Sequence, residues 1–220
     1  MGRCHVTGNR VQPHFSQPHF ARLVRHAIMT RLASVLIFIV LWGTPLWGAH
    51  ASVSSHSVPS HGIWLLVDNA SESLTVYQGQ DVVERYSPVS VGRGGVKRLR
   101  REGDRSTPTG TFHINRVKLD SDFHIFLGLD FPTAAHAREA WDAGMMTARE
   151  YGDFMSDLRR TGQPPQDTVL GGYIGIHGLG EADPDIHRRF NWTQGCVAVT
   201  NSQIDRLADM VAIGTPVVIR

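Results

Sequence analysis

Residues 173–200 read YIGIHGLGEADPDIHRRFNWTQGCVAVT. Two short apolar runs frame this stretch: one ends on His177, the other begins just after Gly195-Cys196. Both read as buried strands, each bounded by turn residues. Gly178 lets the chain turn away after the histidine, so a strand end presents the imidazole, and the thiol sits at the edge of the second strand. Bringing those two ends into one sheet puts a base beside a nucleophile that attacks carbonyls only as thiolate. Gly195 has no Cβ, so successive backbone N–H groups there are free to face an oxyanion. A small buried cysteine and a hydrogen-bonded strand histidine are the plain alternative, and for an arbitrary pair that alternative would prevail.

Outward from this stretch the chain continues in strand-like runs. On the C-terminal side, Thr200 and Gln203 form a capping box, and Ile204, Leu207, Ala208 and Val211 give helical spacing from Thr200 to Ala212, before TPVVIR as a last strand. On the N-terminal side, IWLLVD, SLTVYQ, DVVERYSPVSVG, GTFHINRV and HIFLGLDF read as strands, with Gln78-Gly79-Gln80 as a hairpin turn. One long interruption stands out. From Ala134 to Thr161, Ala137, Trp141, Met145, Ala148, Met155 and Leu158 recur at helical spacing, and Gly162 with Pro164-Pro165 ends the run. The class is mainly β, with one helical insertion and a closing helix and strand.

The first 51 residues decide where the thiol works. Arg22 to Arg31 carries three arginines and no acid and leads into LASVLIFIVLWGTPLWGAHA, which closes on Ala49-His50-Ala51. That is a secretory signal with an A-x-A cleavage site. The apolar stretch Leu32 to Leu41 is too short for a bilayer span of about 20 residues, which disfavours an uncleaved anchor. Met29-Thr30-Arg31 opens a compact signal of its own and is read as the start of translation. Cleavage after Ala51 removes five arginines and no acid, which leaves 17 basic against 20 acidic side chains where the whole chain has 22 against 20. Nucleic acid is therefore no expected partner, and the membrane is met only through the signal. Residues 52–61 form a Ser- and His-rich flexible lead, and 62–220 a single domain. Cys196 is then the only cysteine of the exported chain, and an unpaired thiol in an oxidising compartment is a liability unless it is used.

Other uses of the same groups are weaker. Zinc on His177, His187 and Cys196 with Asp183 or Asp185 lacks any recognised ligand spacing, so neither metal nor cofactor is expected. VGRGG at 91–95 has no following G-K-[ST] and reads as a turn, and KRLRREGDR at 97–105 reads as a solvated loop whose charge could meet an acidic ligand. No G-x-S-x-G occurs, which disfavours a serine hydrolase.

Together these pieces resemble the L,D-transpeptidase catalytic domain, the YkuD-type domain, from about Ile63 to Arg220. The family pattern is a His, some fifteen residues, then Ser/Thr-x-Gly-Cys, and fifteen residues separate His177 from Thr193-Gln194-Gly195-Cys196. VSVGR and GDRSTPTGTFHI resemble its upstream segments, and IDRLADMVAIGTPVVI its closing helix, turn and strand. The resemblance implies a β-sandwich and peptide-bond exchange on peptidoglycan stem peptides in the periplasm. Cys196 would be the nucleophile and His177 its base. The Gly178 carbonyl would orient the imidazole, and N–H groups around Gly195 and Cys196 would form the oxyanion hole. Arg93, Thr107, Thr109, Tyr173, Trp192, Thr193 and Gln194 are the candidates for lining the substrate site. Gln194 and Ala198 depart from the more usual His and Arg or Asn. The segment 132–172 resembles a subgroup that cuts links between peptidoglycan and protein, so a hydrolase with a wall-linked protein as partner, or a binding module without catalysis, stands beside transpeptidation. N-terminal sequencing of the exported protein is expected to begin at Ser52, and a precursor peptide containing Cys4 would exclude a start at Met29.

Overall fold

The computed structural model describes residues 61–220; the expected signal at 1–51, the start at Met29 and all but the last residue of the lead at 52–61 lie outside the described residues. Ile63–Asp68 (β1), Ser73–Gln78 (β2) and Asp81–Tyr86 (β3) form an antiparallel meander whose second turn is at Gly79-Gln80. Val96–Lys97 (β4) and Thr107–Pro108 (β5) make a small parallel pair. Gly110–Ser121 (β6), His124–Leu129 (β7), Gly175–His177 (β8), Val197–Ala198 (β9) and Pro216–Ile219 (β10) complete the strands.

Eight strands hydrogen-bond into one sheet in the order β3-β2-β1-β10-β6-β7-β8-β9. The last strand is central: β10 runs parallel to β1 and antiparallel to β6, with Val217 opposite both Leu65 and Phe112. The long β6 joins the two halves. Its first residues, Gly110–His113, pair with β10, whereas Ile114–Ser121 pair with β7 after a register shift between Ile114 and Arg116. Irregularities of this kind let one strand serve two differently oriented parts of a β fold. Ser73, Leu74, Thr75 and Val76 are all buried, so β2 is covered on both faces. The core draws Leu65, Val76, Phe112, Leu127, Ile176 and Ile219 from the sheet and Ala137, Phe154, Ile204 and Leu207 from the helices.

The helical run expected at 134–161 is two helices, Ala134–Asp142 (α1) and Ala148–Thr161 (α2). A capping box restarts the second: Thr147 Oγ1 accepts from Glu150 N and Glu150 Oε2 accepts from Thr147 N. Its side chains satisfy amides that a continuous helix would bond in-line. Phe154, rather than Met155, is the buried residue of α2, and Trp141 stacks on Tyr151 at 4.9 Å. Helix Pro184–Arg189 (α3) escapes a periodicity reading because six residues show less than two turns; Asp183 caps it, with Pro184 in the first turn. Asn201–Met210 (α4) begins at the Thr200 capping box, as the spacing indicates, and buries Ile204 and Leu207. Among the described residues no helix is long and apolar enough to cross a membrane.

Thr200→Ala is expected to lower stability by about 1 kcal/mol. Urea unfolding should show a lower midpoint with an unchanged slope.

Candidate active site

The sheet itself brings histidine and cysteine together. In the parallel pair β8–β9, Ile176 stands opposite Val197 and His177 opposite Ala198. Carrying that register back one residue places Cys196 opposite Gly175. Cys196 is the last residue of the turn before β9, so the parallel pair sets the thiol-bearing turn beside the strand that ends on His177.

The imidazole is fixed on three sides. Its Nδ1 lies 2.6 Å from the Gly178 carbonyl oxygen. A carbonyl only accepts, so Nδ1 carries the proton and Nε2 keeps its lone pair. Phe123 packs on the ring at 4.4 Å between centroids, and Trp192 meets it edge-on at 5.9 Å. Burial pulls the imidazole pKa below its ordinary value, against the Gly178 hydrogen bond and with the help of nearby His187. His177 is thus a neutral base at rest.

The thiol faces a different neighbour. Cys196 Sγ lies 3.5 Å from the carbonyl oxygen of Tyr173, and no hydrogen bond joins it to the imidazole among the described residues. Cys196 keeps partial exposure along a cleft of about 600 Å³ lined also by Arg100, Glu102, Asp167, Tyr173 and Gln194. Packing around the sulfur pushes the thiol up to about 11, opposed by the Gly175 N–H and the charge of Arg100. Sulfur and imidazole are therefore both uncharged in the resting protein.

The turn that carries the thiol is closely held. Thr193 Oγ1 donates to Cys196 O at 2.7 Å and accepts from Gly195 N at 3.1 Å. The Gly195 N–H, expected among the oxyanion donors, is thus engaged by Thr193 in the resting structure. Gly195 has φ +134°, and a Cβ on it would lie 2.6 Å from Arg100 Nη1 and 2.8 Å from the Ser106 carbonyl. Segment 90–93 braces the turn from outside through Ser90 with Ala198 and Arg93 N with Thr193 O. A Cβ on Gly92 would overlap the Arg105 carbonyl and lie 3.1 Å from Gly195 Cα, so backbone here packs directly on backbone.

The other sequence candidates separate into two groups. Tyr173 and Gln194 line the cleft. Tyr173 is 64% exposed and has φ +53°, a left-handed conformation that a bulky residue rarely adopts; Gln166 Oε1 holds it by accepting from Tyr173 N at 2.7 Å. Trp192 walls His177, and its carbonyl accepts from Arg93 Nε at 3.0 Å. Thr107, Thr109 and Thr193 serve the framework. Thr107 is buried and accepts from Gly92 N, while the Thr109 carbonyl accepts from Arg98 and His136. The zinc set is dispersed among other partners: His177 on Gly178, His187 beside Ser90 Oγ, Asp183 capping α3 and Asp185 paired with Arg188. Among the described residues no group of three potential ligands converges.

Sequence reasoning missed Arg100. It lies within the supposedly solvated 97–105 segment, yet it is 5% exposed, and its Nε and Nη1 have no hydrogen-bond partner. Phe123 was missed too, since an isolated aromatic in a hairpin turn gives no pattern.

The family model of the L,D-transpeptidase catalytic domain, YkuD, matches residues 62–219. The chain belongs to this family. No curated protein matches it. Among solved structures, a variant of the helical cell shape determining protein Pgp2 from Campylobacter jejuni is 17% identical, with 73% of this chain and 47% of that one covered and a TM-score of 0.50. Bd1075 from Bdellovibrio bacteriovorus is 19% identical over 76% of this chain and 50% of its own, with a TM-score of 0.47. An L,D-transpeptidase from Xylanimonas cellulosilytica is 17% identical over 73% and 61%, with a TM-score of 0.43. This chain spans about half the length of the first two, and at such identity the likeness to Pgp2 is one of fold.

Alkylation of Cys196 by iodoacetamide is expected to be slow at pH 7. It should rise roughly tenfold per pH unit up to about pH 9 without levelling, because the thiolate fraction grows until the pH reaches the thiol pKa. A plateau near neutral pH would mean that the resting residue is already ionised.

Proposed function

We propose that the chain is an exported cysteine L,D-transpeptidase that acts on peptidoglycan stem peptides through a thioester on Cys196. The observation that supports this reading is the parallel pairing of β8, which ends on His177, with β9, which starts directly after Cys196, together with the Gly178 carbonyl that sets the imidazole tautomer. At rest the sulfur faces the Tyr173 carbonyl, so the proposed reaction requires it to turn toward the imidazole, a tightening that substrate often completes in such sites.

In the reaction so inferred, Nε2 of His177 takes the thiol proton as sulfur attacks the carbonyl before the terminal D-alanine of a tetrapeptide stem. A C–S bond forms, and the Cys196 N–H faces the developing oxyanion. The C–N bond then breaks, and His177 hands its proton to the departing amine of D-alanine. The thioester keeps the energy of the original amide, which suits a compartment without ATP. An acceptor amine gives up a proton to His177 and attacks; the new C–N bond forms and the C–S bond breaks. Water in place of the amine gives the hydrolase outcome from the same intermediate.

Incubation with a carbapenem is expected to add one inhibitor mass to the wild type and none to Cys196→Ala by intact-mass spectrometry. Disaccharide tetrapeptide should yield free D-alanine with cross-linked dimer, or tripeptide alone if water is the acceptor. Absence of both the adduct and any product would defeat the proposal. On the acid side, the rate should hold to below pH 6.5, since the depressed imidazole pKa keeps His177 unprotonated there.

A further inference from the structure

Arg100 is a permanent cation buried beside the sulfur with its local demand for an anion unmet. Its nearest carboxylate, Asp104 Oδ1, is 3.8 Å from Nε, an ion contact beyond hydrogen-bond reach. Asp104 is committed elsewhere. Oδ1 accepts from Ser106 N at 2.9 Å and Ser106 Oγ at 2.6 Å, and Oδ2 from Arg101 N at 3.1 Å and Lys97 Nζ at 3.3 Å. Burial works against its ionisation, yet these donors outweigh it and hold the carboxyl well below the usual range. Asp104 thus fixes the loop and leaves Arg100 over the Phe131 ring, at 6.0 Å, in the wall of the cleft beside Cys196.

We infer that Arg100 binds the free α-carboxylate of the residue that leaves, one position beyond the bond that Cys196 attacks. This rests on the proposed acyl transfer and adds to it a chain-end requirement. Reach supports the assignment. Three bonds separate the reacting carbonyl carbon from that carboxylate carbon, about 3 to 4 Å. Arg100 Nη1 lies against Gly195, one residue from the nucleophile. The alternative anions fit less well. A thiolate or oxyanion exists only in passing, whereas a guanidinium that is always charged matches a group that is ionised throughout binding. Glu102 and Asp167 on the same cleft repel a carboxylate placed away from Arg100. A planar fork suits the two oxygens of a carboxylate better than one oxygen or sulfur.

The test compares two disaccharide tetrapeptides that differ only in a terminal D-alanine or D-alaninamide. Wild type should show kcat/KM roughly 10- to 100-fold lower on the amide, the range for a lost charge-assisted hydrogen bond. Arg100→Gln should treat both substrates alike, at the lower rate, and Arg100→Lys should restore part of the preference. Alkylation of Cys196 by iodoacetamide should slow in Arg100→Gln, because the guanidinium charge favours the thiolate, so the acid-to-amide ratio is the readout that separates substrate binding from that effect. Equal use of acid and amide by the wild type overturns the inference, and that comparison needs no variant to fold. Arg100→Gln that keeps the acid preference also overturns it, because Arg100 would then serve the sulfur alone. No turnover of either stem and no acylation of Cys196 would sink the acyl-transfer reading, and this inference with it.

Discussion

Parallel pairing of β8 with β9, only two or three residues on each side, is the contact on which the site depends. It sets the strand that ends on His177 beside the turn that carries Cys196, and strands so short cannot hold a register unaided. Three braces supply the rest. β7 pairs with the far side of β8, Ser90 exchanges two backbone hydrogen bonds with Ala198, and Thr193 closes the turn over Cys196. The close approach of Gly92 to Gly195 then fixes how far the outer segment sits from the turn that carries Cys196.

Electrostatically the site is quiet until it is used. Burial disfavours charge on both members of the pair, raising the thiol and lowering the imidazole. The standing positive charge beside the sulfur is Arg100, kept apart from its nearest acid because Ser106, Arg101 and Lys97 saturate Asp104. Geometry on the other wall follows the same logic. Gln166, from the connection after α2, holds Tyr173 in its left-handed conformation and so aims the Tyr173 carbonyl at the sulfur. The connection after α2, rather than the helices themselves, shapes the cleft, which Gln166, Asp167, Gly171 and Gly172 line.

Much of this was legible in the chain. Strand positions followed from apolar runs bounded by turns, and β1 and β2 coincide with the runs IWLLVD and SLTVYQ. α4 announced itself through Thr200 and Gln203. The mainly β class and the family followed from several short segments in order. What escaped detection was what depends on tertiary contact. Met145 and Ala148 continue a helical period across a break that Thr147 and Glu150 impose, because periodicity records faces and not chain continuity. Arg100 sits among charged neighbours and has no local sign of burial; only packing against Phe131 and Gly195 removes it from water. Thr107 and Thr193 attract notice as polar residues near a motif, but their hydroxyls are consumed by backbone amides and carbonyls.

The two borders of the sheet are treated differently. β3 ends one side with Val82 and Val83 exposed. At the opposite side, Ser90 occupies both the amide and the carbonyl of Ala198, so β9 offers no vacant rungs beside the nucleophile. An incoming peptide cannot dock there by strand addition. Recognition of the proposed stem peptide would then fall to side chains and termini, a mode of reading that tolerates D-configured residues, whose backbones would fit poorly into an L-strand ladder.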